Sequence, residues 1–500
     1  MKLLDKKLLK TISIETIILM LIAHGFVYYN IMFSHDSISV FHGGYFGDSI
    51  GIGRFLIPVW NYVRGEYYPP YLIGVLSIII FIAINYFVIK IFSIKDKGLI
   101  LAICGIITTC VSYTLLNATY INYSDMYAFS ILLNVLAVFL MRRKDKISIS
   151  AILLLFISLG LYQAYIGITI GFSIVLLIID LLNKEEAKKV IKKGIIYVIQ
   201  IVISLFLYYI AVKLVPRFTH IELETYYNSV SNFGNFGGLK NLIKIIIGTY
   251  TNFFNTLIVS KTFHRTIVTG INCILFLLFV FYFIKNVITN KLKISQIILL
   301  ILLLLVLPFG FNIIYFMSNG IVHELMFYPI FTSFIFILYI LQNNKNEKIK
   351  YVIYFLLLVS ISSNIIHANQ VYEKKMMEFE STKLVMNRII NRIEEIPEYE
   401  PGKTPIFFVG ELNKGPIKVK KDKFDYKQVG SFTYYATTYP QTYYRFIYYY
   451  LGYPINLYDN DDALEKTAEY RKNPIVKEMG VFPASDSIKM IDGTIIVKLS

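Results

Sequence analysis

Charged residues are scarce in this chain: Asp, Glu, Lys and Arg make up 16% of its 500 residues, whereas hydrophobic residues make up 56%. A soluble domain usually carries about 25% charged residues. The hydrophobic residues form repeated runs of about 20, which is the length that a helix needs to cross a bilayer. This pattern predicts an all-α polytopic membrane protein and argues against a set of soluble domains.

Cysteine is also scarce, and the familiar nucleotide and metal motifs are missing. Cys104, Cys110 and Cys273 lie inside apolar runs, without metal-site spacing or the even number of a disulfide framework. The sequence has no Walker A loop, no dinucleotide fingerprint and no HExxH motif, so nucleotide-driven transport and zinc hydrolysis have no support. The sequence requires no cofactor or metal; Asp36 and Asp48 could hold a divalent metal, but we do not favour one.

The net charge of +16 does not indicate nucleic acid, because the lysines cluster in the short links between apolar runs. Such clusters mark the cytoplasmic side of a membrane protein. With every lysine-rich link on that side, we predict about eleven spans in a bacterial plasma membrane, a cytoplasmic N-terminus and an extracytoplasmic C-terminus. The run 239–260, with Lys240 and Lys244, is interpreted as an amphipathic helix in the membrane interface.

The composition changes after His367. We therefore divide the chain into a multi-span membrane domain, 1–367, and a soluble extracytoplasmic tail, 368–500. The segments of the tail predict a small α/β fold: a helix at 372–396, a strand at 406–410, a tyrosine-rich run at 434–450 and a strand at 494–499.

The loop 34–66, between the first two apolar runs, concentrates polar residues. Asp36 closely follows the first run and is a candidate general base towards a hydroxyl, or else an ordinary loop aspartate. His35 would orient Asp36 or contact phosphate, or is a surface histidine. The planar guanidinium of Arg54 suits a phosphate oxygen. Asp48 would support this chemistry, or would form an ion pair with Arg54 that braces the loop.

Further polar residues stand where later apolar runs begin or are interrupted. Asp125 opens one run and would face the site or cap the helix. Tyr162 and Gln163 interrupt another run and would bind sugar hydroxyls or each other. Glu324 would belong to the site, or is a helix-start glutamate favoured by the helix dipole.

Lys261 and Arg265 precede another apolar run and would bind a lipid phosphate, or are basic residues at headgroup level. The predicted topology brings most of these candidates to one outer surface: Asp36, Asp48, Arg54, Asp125, Gln163, Lys261, Arg265 and Glu324. A polar cavity that opens outward is the economical explanation. The cytoplasmic links, by contrast, contain mostly lysines and no comparable group of residues.

Four motifs carry a resemblance to a known family: SHDS at 34–37, GRFL at 53–56, LYQAY at 161–165 and the helix that begins at Tyr372-Glu373. The chain resembles the membrane-embedded glycosyltransferases with the GT-C fold. More narrowly, it is similar to the bacterial glucosyltransferases of serotype conversion, the Gtr type II family. Members of this family often have paired acids where this chain has His35-Asp36.

The resemblance implies transfer of a sugar, glucose in this family, from a polyprenyl-phosphate donor to a surface polysaccharide or teichoic-type acceptor, with inversion. By position, Asp36 would be the base, Arg54 a phosphate contact and Asp48 a supporting acid. Tyr162 and Gln163 would contact sugar or lipid. Two rivals remain: a lipid-linked-sugar flippase, which needs polar groups at mid-membrane, and a polysaccharide polymerase or ligase with a lipid-diphosphate donor.

Overall fold

The computed structural model describes residues 5–32, 34, 37–40, 47–65, 69–143, 146–224, 236–260, 265–342, 346–417, 435–437, 440–458 and 460–500. Helices dominate this part of the chain, and the strands are confined to its C-terminal tail. The predicted fold class, an all-α polytopic membrane protein with a small α/β tail, is confirmed.

The helices, in chain order, are α1 Lys6–Tyr29, α2 Gly47–Gly51, α3 Ile57–Arg64, α4 Pro70–Phe92, α5 Lys97–Thr108, α6 Val111–Tyr120, α7 Ser124–Arg143, α8 Ile149–Leu161, α9 Ile166–Leu182, α10 Ala187–Thr219, α11 Leu239–Phe254, α12 Thr266–Asn290, α13 Ile294–Phe311, α14 Ile313–Met317, α15 Tyr328–Thr332, α16 Phe334–Leu341, α17 Glu347–Glu394, α18 Pro440–Arg445, α19 Asn460–Lys472 and α20 Pro474–Glu478. The strands are β1 Ile406–Val409, β2 Ile488–Ile491 and β3 Thr494–Lys498.

Ten described segments are long and apolar enough to cross a membrane. They are α1, α4, the segment from α5 to α7, α9, α10, α11 with the turn that follows it, α12, α13, the segment from Glu324 to α16, and α17. The α5–α7 segment, Lys97–Arg143, folds back on itself, and α8 is a shorter apolar helix. The protein is therefore a multi-pass membrane protein, and the number of crossings stays a prediction.

The basic links lie together at one end of the bundle, which we call the basic end. Asp180, at the end of α9, accepts hydrogen bonds from Arg142 at 2.6 Å and from Lys193 at 3.0 Å. Asn290 and Gln296, on the next pair of helices, donate to the carbonyls of Leu182 and Glu185 at 2.8 Å. The opposite end, where the chain between α1 and α4 lies, is called the loop end.

Two apolar runs are interrupted within the bundle. The run 147–182 divides at Tyr162, because α8 ends there and the short 3-10 turn Gln163–Tyr165 leads into α9. The run 99–117 is broken between α5 and α6. The hydroxyls of Thr108 and Thr109 donate to the carbonyls of Cys104 and Gly105, a pattern that bends helices.

Helix α11 packs against α13, where the Tyr250 hydroxyl donates to the Leu305 carbonyl at 3.0 Å. Asn312, which follows α13, donates to the Thr249 carbonyl at 2.8 Å, and Asn272, near the start of α12, donates to the Leu257 carbonyl at 3.1 Å. Both partners lie well away from the basic end. The segment is long enough to cross a bilayer, and the interfacial placement expected from the sequence stays a prediction.

The tail is connected to the bundle by a single long helix. Helix α17 has 48 residues, which corresponds to about 70 Å at 1.5 Å per residue, and it continues without a break across residue 367. The three strands of the tail form a sheet in the order β1-β3-β2. Strand β3 pairs in parallel with β1 and antiparallel with β2. The division of the chain at residue 367 stays a prediction.

Candidate functional site

The turn that carries Arg54 is fixed by two other helices. Gly53 has a positive φ of 80°, a conformation that glycine adopts without steric cost. Its carbonyl accepts a hydrogen bond from the Tyr208 hydroxyl at 3.1 Å, and the Ile52 carbonyl accepts one from the Gln163 amide at 3.1 Å. The same amide nitrogen of Gln163 donates to Tyr208 at 2.7 Å. Residues of α10 and of the turn before α9 therefore set the position of Arg54.

The guanidinium of Arg54 lies against two stacked tyrosine rings. Its Nη1 donates to the Tyr127 hydroxyl at 2.9 Å, and its Cζ is 4.7 Å from the centroid of the Tyr162 ring. The two rings stack with their centroids 4.0 Å apart. Such contacts attract a cation to the ring faces and fix its plane.

The charge of Arg54 is retained in this setting. Burial disfavours the charged form, but the neighbouring tyrosines, Tyr127 and Tyr162 first among them, raise the pKa of Arg54 above its ordinary value. Among the described residues its buried Nε has no hydrogen-bond partner, and buried polar groups are nearly always hydrogen-bonded. The arrangement is therefore a positioned cation with a free donor, which suits an anionic ligand.

Asp125 is engaged in a buried ion pair. Its carboxylate accepts hydrogen bonds from Arg64 Nη1 at 2.8 Å and from Trp60 Nε1 at 3.1 Å. The side chains of Arg64 and Asp125 are 3% and 0% exposed. Arg64 also donates to the Asn122 carbonyl at 2.7 Å. The carboxylate thus ties α3 to the start of α7, and Arg64 is its buried partner.

Glu324 lies at the same end of the bundle. Its backbone carbonyl accepts a hydrogen bond from the Ser112 hydroxyl at 2.7 Å, and the next carbonyl, that of Leu325, accepts one from Tyr165 at 3.4 Å. The Tyr165 ring is 4.8 Å from the Tyr162 ring that supports Arg54. Glu324 is therefore linked to the Tyr162 ring through Leu325 and Tyr165, and we call Arg54, Tyr127, Tyr162, Gln163 and Glu324 the loop-end cluster.

The remaining predicted site residues are not all described. His35, Asp36 and Lys261 lie outside the described residues, and Asp48 lies in α2 but its side chain is not described. Arg265 is exposed and immediately precedes α12. No described contact joins Arg265 to the loop-end cluster.

The residues on either side of 35–36 are anchored. The Ser34 hydroxyl donates to the Thr119 carbonyl at 2.5 Å, and the Ser34 amide donates to the Ser37 hydroxyl at 2.8 Å. Thr119 lies in the last turn of α6, next to the chain that leads to Asp125. In the described part of the chain, no group of three or more His, Cys, Asp or Glu side chains could hold a metal ion.

A second buried ion pair, not expected from the sequence, lies on α17. Lys375 Nζ is 3.0 Å from Glu378, and both side chains are 2% exposed. The sequence around the pair is rich in charged residues, which is typical of a solvent-exposed helix. Composition alone therefore does not indicate a buried ion pair there. The signal was its spacing: Lys375, Glu378, Phe379 and Thr382 occupy one face of α17, and all four are buried.

The tyrosine-rich part of the tail covers this face of α17. The Phe379 ring is 4.8 Å from the Tyr450 ring, and the Ala436 amide donates to the Thr382 hydroxyl at 2.8 Å. Helix α18 and the turn Phe446–Tyr450 also come within 8 Å, between Cα atoms, of the short turn Ser37–Val40. The tail thus contacts the segment that directly follows Asp36.

The membrane part of the chain matches a known family. The model of the family described as glucosyl transferase GtrII matches residues 25–340, a range that includes Arg54, Asp125 and Glu324. No curated protein and no solved structure matches the chain.

Proposed function

This chain belongs to the glucosyl transferase GtrII family, and we propose that it transfers glucose from a polyprenyl-phosphate donor to a surface glycan or teichoic-type acceptor. The observation that carries the proposal is the charged guanidinium of Arg54, which is held against Tyr127 and Tyr162 with a donor left over. A sugar linked to a lipid through phosphate presents a phosphodiester anion. A cation that is held in a fixed position stabilises the negative charge that develops on the phosphate as the bond to the sugar breaks.

The reaction is a single displacement. Asp36 removes the proton of an acceptor hydroxyl, and the hydroxyl oxygen attacks the anomeric carbon on the face opposite the phosphate. The bond between the anomeric carbon and the phosphate oxygen breaks, and the phosphate keeps the electron pair, so the configuration inverts. Arg54 stabilises the charge on the departing lipid phosphate.

Other predicted residues have supporting parts in this proposal. Gln163 holds the turn of Arg54, as its bond to the Ile52 carbonyl supports. Asp48 and His35 would act beside Asp36, and Glu324 would bind sugar hydroxyls. Lys261 and Arg265 would attract the lipid phosphate at the membrane surface. The loop end would face the cell exterior, with the basic end in the cytoplasm.

Transfer of glucose from purified polyprenyl-phosphate glucose to extracted surface polymer tests the proposal. Asp36→Asn should abolish transfer, because the amide cannot accept the proton at neutral pH. Arg54→Lys keeps the charge but loses the planar fork, and we expect kcat to fall by about 100-fold, the scale of one removed oxyanion donor.

Arg143→Lys is the matched control, because Arg143 is exposed at the basic end. This variant should transfer glucose like the wild type. Wild-type rates in a folded Asp36→Asn variant would remove Asp36 from the mechanism. A change in glycan chain length, rather than in side-branch content, after deletion of the protein would favour a polymerase instead.

A further inference from the structure

The Lys375–Glu378 ion pair of α17 has no part in the reaction as described so far. Lys375 Nζ is 3.0 Å from the Glu378 carboxylate, and both side chains are 2% exposed. Taking two charges out of water costs free energy that their attraction does not always return, and apolar residues of similar volume often replace such a pair without loss of stability. The presence of this pair therefore needs an explanation other than stability.

The pair does not join two elements of the fold. Its residues are three positions apart on one helix, which continues through both of them. The buried Arg64–Asp125 pair, by contrast, connects α3 to α7. Any effect of the Lys375–Glu378 pair on the fold must therefore come through the groups that surround it.

The pair lies at about the level where α1 ends. Helices α1 and α17 run side by side in the same direction, because the Asn369 amide donates to the Ile22 carbonyl at 3.0 Å. Farther along, the Tyr372 hydroxyl is 2.6 Å from His24 Nδ1. Glu378 lies six residues beyond Tyr372, about 9 Å along the helix, and α1 ends five residues beyond His24. The pair thus marks the point where α17 leaves the bundle for the tail.

The tail packs over the face of α17 that carries the pair. The Tyr450 ring lies 4.8 Å from the ring of Phe379, which adjoins Glu378. The Thr382 hydroxyl donates to the Glu378 carbonyl at 2.8 Å and accepts a hydrogen bond from the Ala436 amide, also at 2.8 Å. One hydroxyl therefore connects the backbone of the tail to the residue that supplies the buried carboxylate.

The same part of the tail reaches the first loop, because α18 and the turn Phe446–Tyr450 come within 8 Å, between Cα atoms, of the turn Ser37–Val40. Buried charges require neighbours in fixed positions, since a displaced neighbour leaves a charge unsatisfied in a medium of low dielectric constant. A purely apolar contact loses its unique arrangement before it loses stability. A charged pair at this junction therefore favours a single arrangement of the surrounding elements.

We propose that Lys375 and Glu378 are positioning residues, which fix one arrangement of the tail on α17 and thereby hold the turn Ser37–Val40. This turn directly follows Asp36, the base of the proposed reaction. The pair contributes the uniqueness of this arrangement and not its stability. The effect on catalysis rests on the proposed function, whereas the effect on the arrangement of the tail does not.

A double variant separates these two contributions. Lys375→Met with Glu378→Leu removes both charges and keeps similar volumes, and we expect its unfolding midpoint temperature to equal or exceed that of the wild type. Lys383→Met with Glu380→Leu is the matched control, because it removes a pair of the same residue types and spacing from an exposed part of the same helix. The control should behave like the wild type in every measurement. A clearly lower midpoint in the first double variant alone would show that the pair is kept for stability, and would overturn the inference.

The arrangement of the tail is measured as a distance between two spin labels by pulsed electron paramagnetic resonance. The labels are attached through Tyr29→Cys, at the end of α1, and Leu464→Cys, on α19 in the tail, where the native side chains are 84% and 46% exposed. Cys273→Ala removes the exposed native cysteine, and Cys104 and Cys110 are buried. With the pair intact we expect one narrow distance distribution, and in the double variant a broader distribution or a second one. The same narrow distribution in both proteins would overturn the inference.

The transfer assay then tests the link to the reaction. We expect kcat of the double variant to fall by about tenfold or more, as small misplacements of reacting groups do, with less change in the KM for the donor. A broadened distribution together with wild-type kcat would overturn the positioning role in catalysis. Because the distance measurement uses no donor, a wild type without transfer activity would count against the proposed function alone.

Discussion

At the scale of single residues, the two arginines of the first loop differ in the groups they contact. Arg64 pairs with the carboxylate of Asp125 and with the Asn122 carbonyl, whereas Arg54 lies against the tyrosines Tyr127 and Tyr162. Sequence analysis identified Arg54 and Asp125 but did not pair Asp125 with Arg64. The two partners are 61 positions apart, and only the packing of α3 against α7 brings them together.

The Arg64–Asp125 pair predicts a large stability loss when one partner is removed. Asp125→Asn leaves a buried guanidinium without its counter-charge, which costs about 3–5 kcal/mol. Calorimetric unfolding in detergent should show a clearly lower midpoint temperature. Asp462→Asn, in the first turn of α19 where the side chain is exposed, should leave the midpoint unchanged.

The double variant Asp125→Leu with Arg64→Met separates charge from packing. It should recover most of the lost stability, because a buried ion pair can often be replaced by apolar residues of similar volume. If the single variant unfolds like the wild type, the pair has no structural importance.

At the scale of elements, the loop-end cluster is positioned by two breaks in the helices, one at Tyr162 and one between α5 and α6. The division at Tyr162 was predictable, because two tyrosines and a glutamine interrupt an otherwise apolar run. The break between α5 and α6 was not, because threonine is common inside helices and its back-bonding to the preceding turn is visible only in the structure. The Tyr328 hydroxyl donates to the Ile107 carbonyl at 2.9 Å beside this break, so a neighbouring helix satisfies part of the backbone there.

The hydrogen bonds from Tyr208 and Gln163 to the turn that carries Arg54, which we call the clamp, should influence catalysis by holding Arg54 in place. Tyr208→Phe removes the hydroxyl that joins Gln163 to the Gly53 carbonyl, at a cost of about 1 kcal/mol for each bond. We expect kcat to fall by about tenfold, because Arg54 no longer holds one position. The KM for the donor should change less than kcat.

The control for this clamp is Tyr209→Phe, whose side chain is 55% exposed on the same helix. It should have wild-type kinetics. An unchanged kcat in a folded Tyr208→Phe variant would show that the turn keeps its position without the clamp.

At the scale of the whole molecule, the tail and the bundle share a helix and a contact surface. The sequence predicted a soluble tail because the composition changes after His367, but it did not predict that α17 would cross this boundary unbroken. Helical periodicity continues through the change in composition, so the boundary in polarity is not a boundary in structure. The contact between the tail and the turn Ser37–Val40 joins residues about 400 positions apart. No local sequence pattern indicates a contact over that separation.

Loosening this contact should expose the tail to proteases. Phe379→Ala removes the ring that the Phe446 and Tyr450 rings contact at 5.8 and 4.8 Å, and truncating a buried phenylalanine costs about 3–5 kcal/mol. Limited trypsin digestion should release tail fragments faster from this variant than from the wild type. The rate of glucose transfer should also be lower in the variant. Leu384→Ala, at a position 62% exposed on the same helix, should digest like the wild type.

Equal digestion rates for Phe379→Ala and the wild type would show that α17 holds the tail without this contact. Faster digestion with full transfer activity would show that the tail is not needed to position the first loop.

The indole of Trp60 gives this protein an internal optical reporter. The chain contains one tryptophan, and its ring lies 4.8 Å from Phe129 while its nitrogen donates to Asp125. All native tryptophan emission therefore originates in α3, a few residues after Arg54. Spectral changes on titration with donor lipid would report on the first loop directly, without a dye or an engineered label.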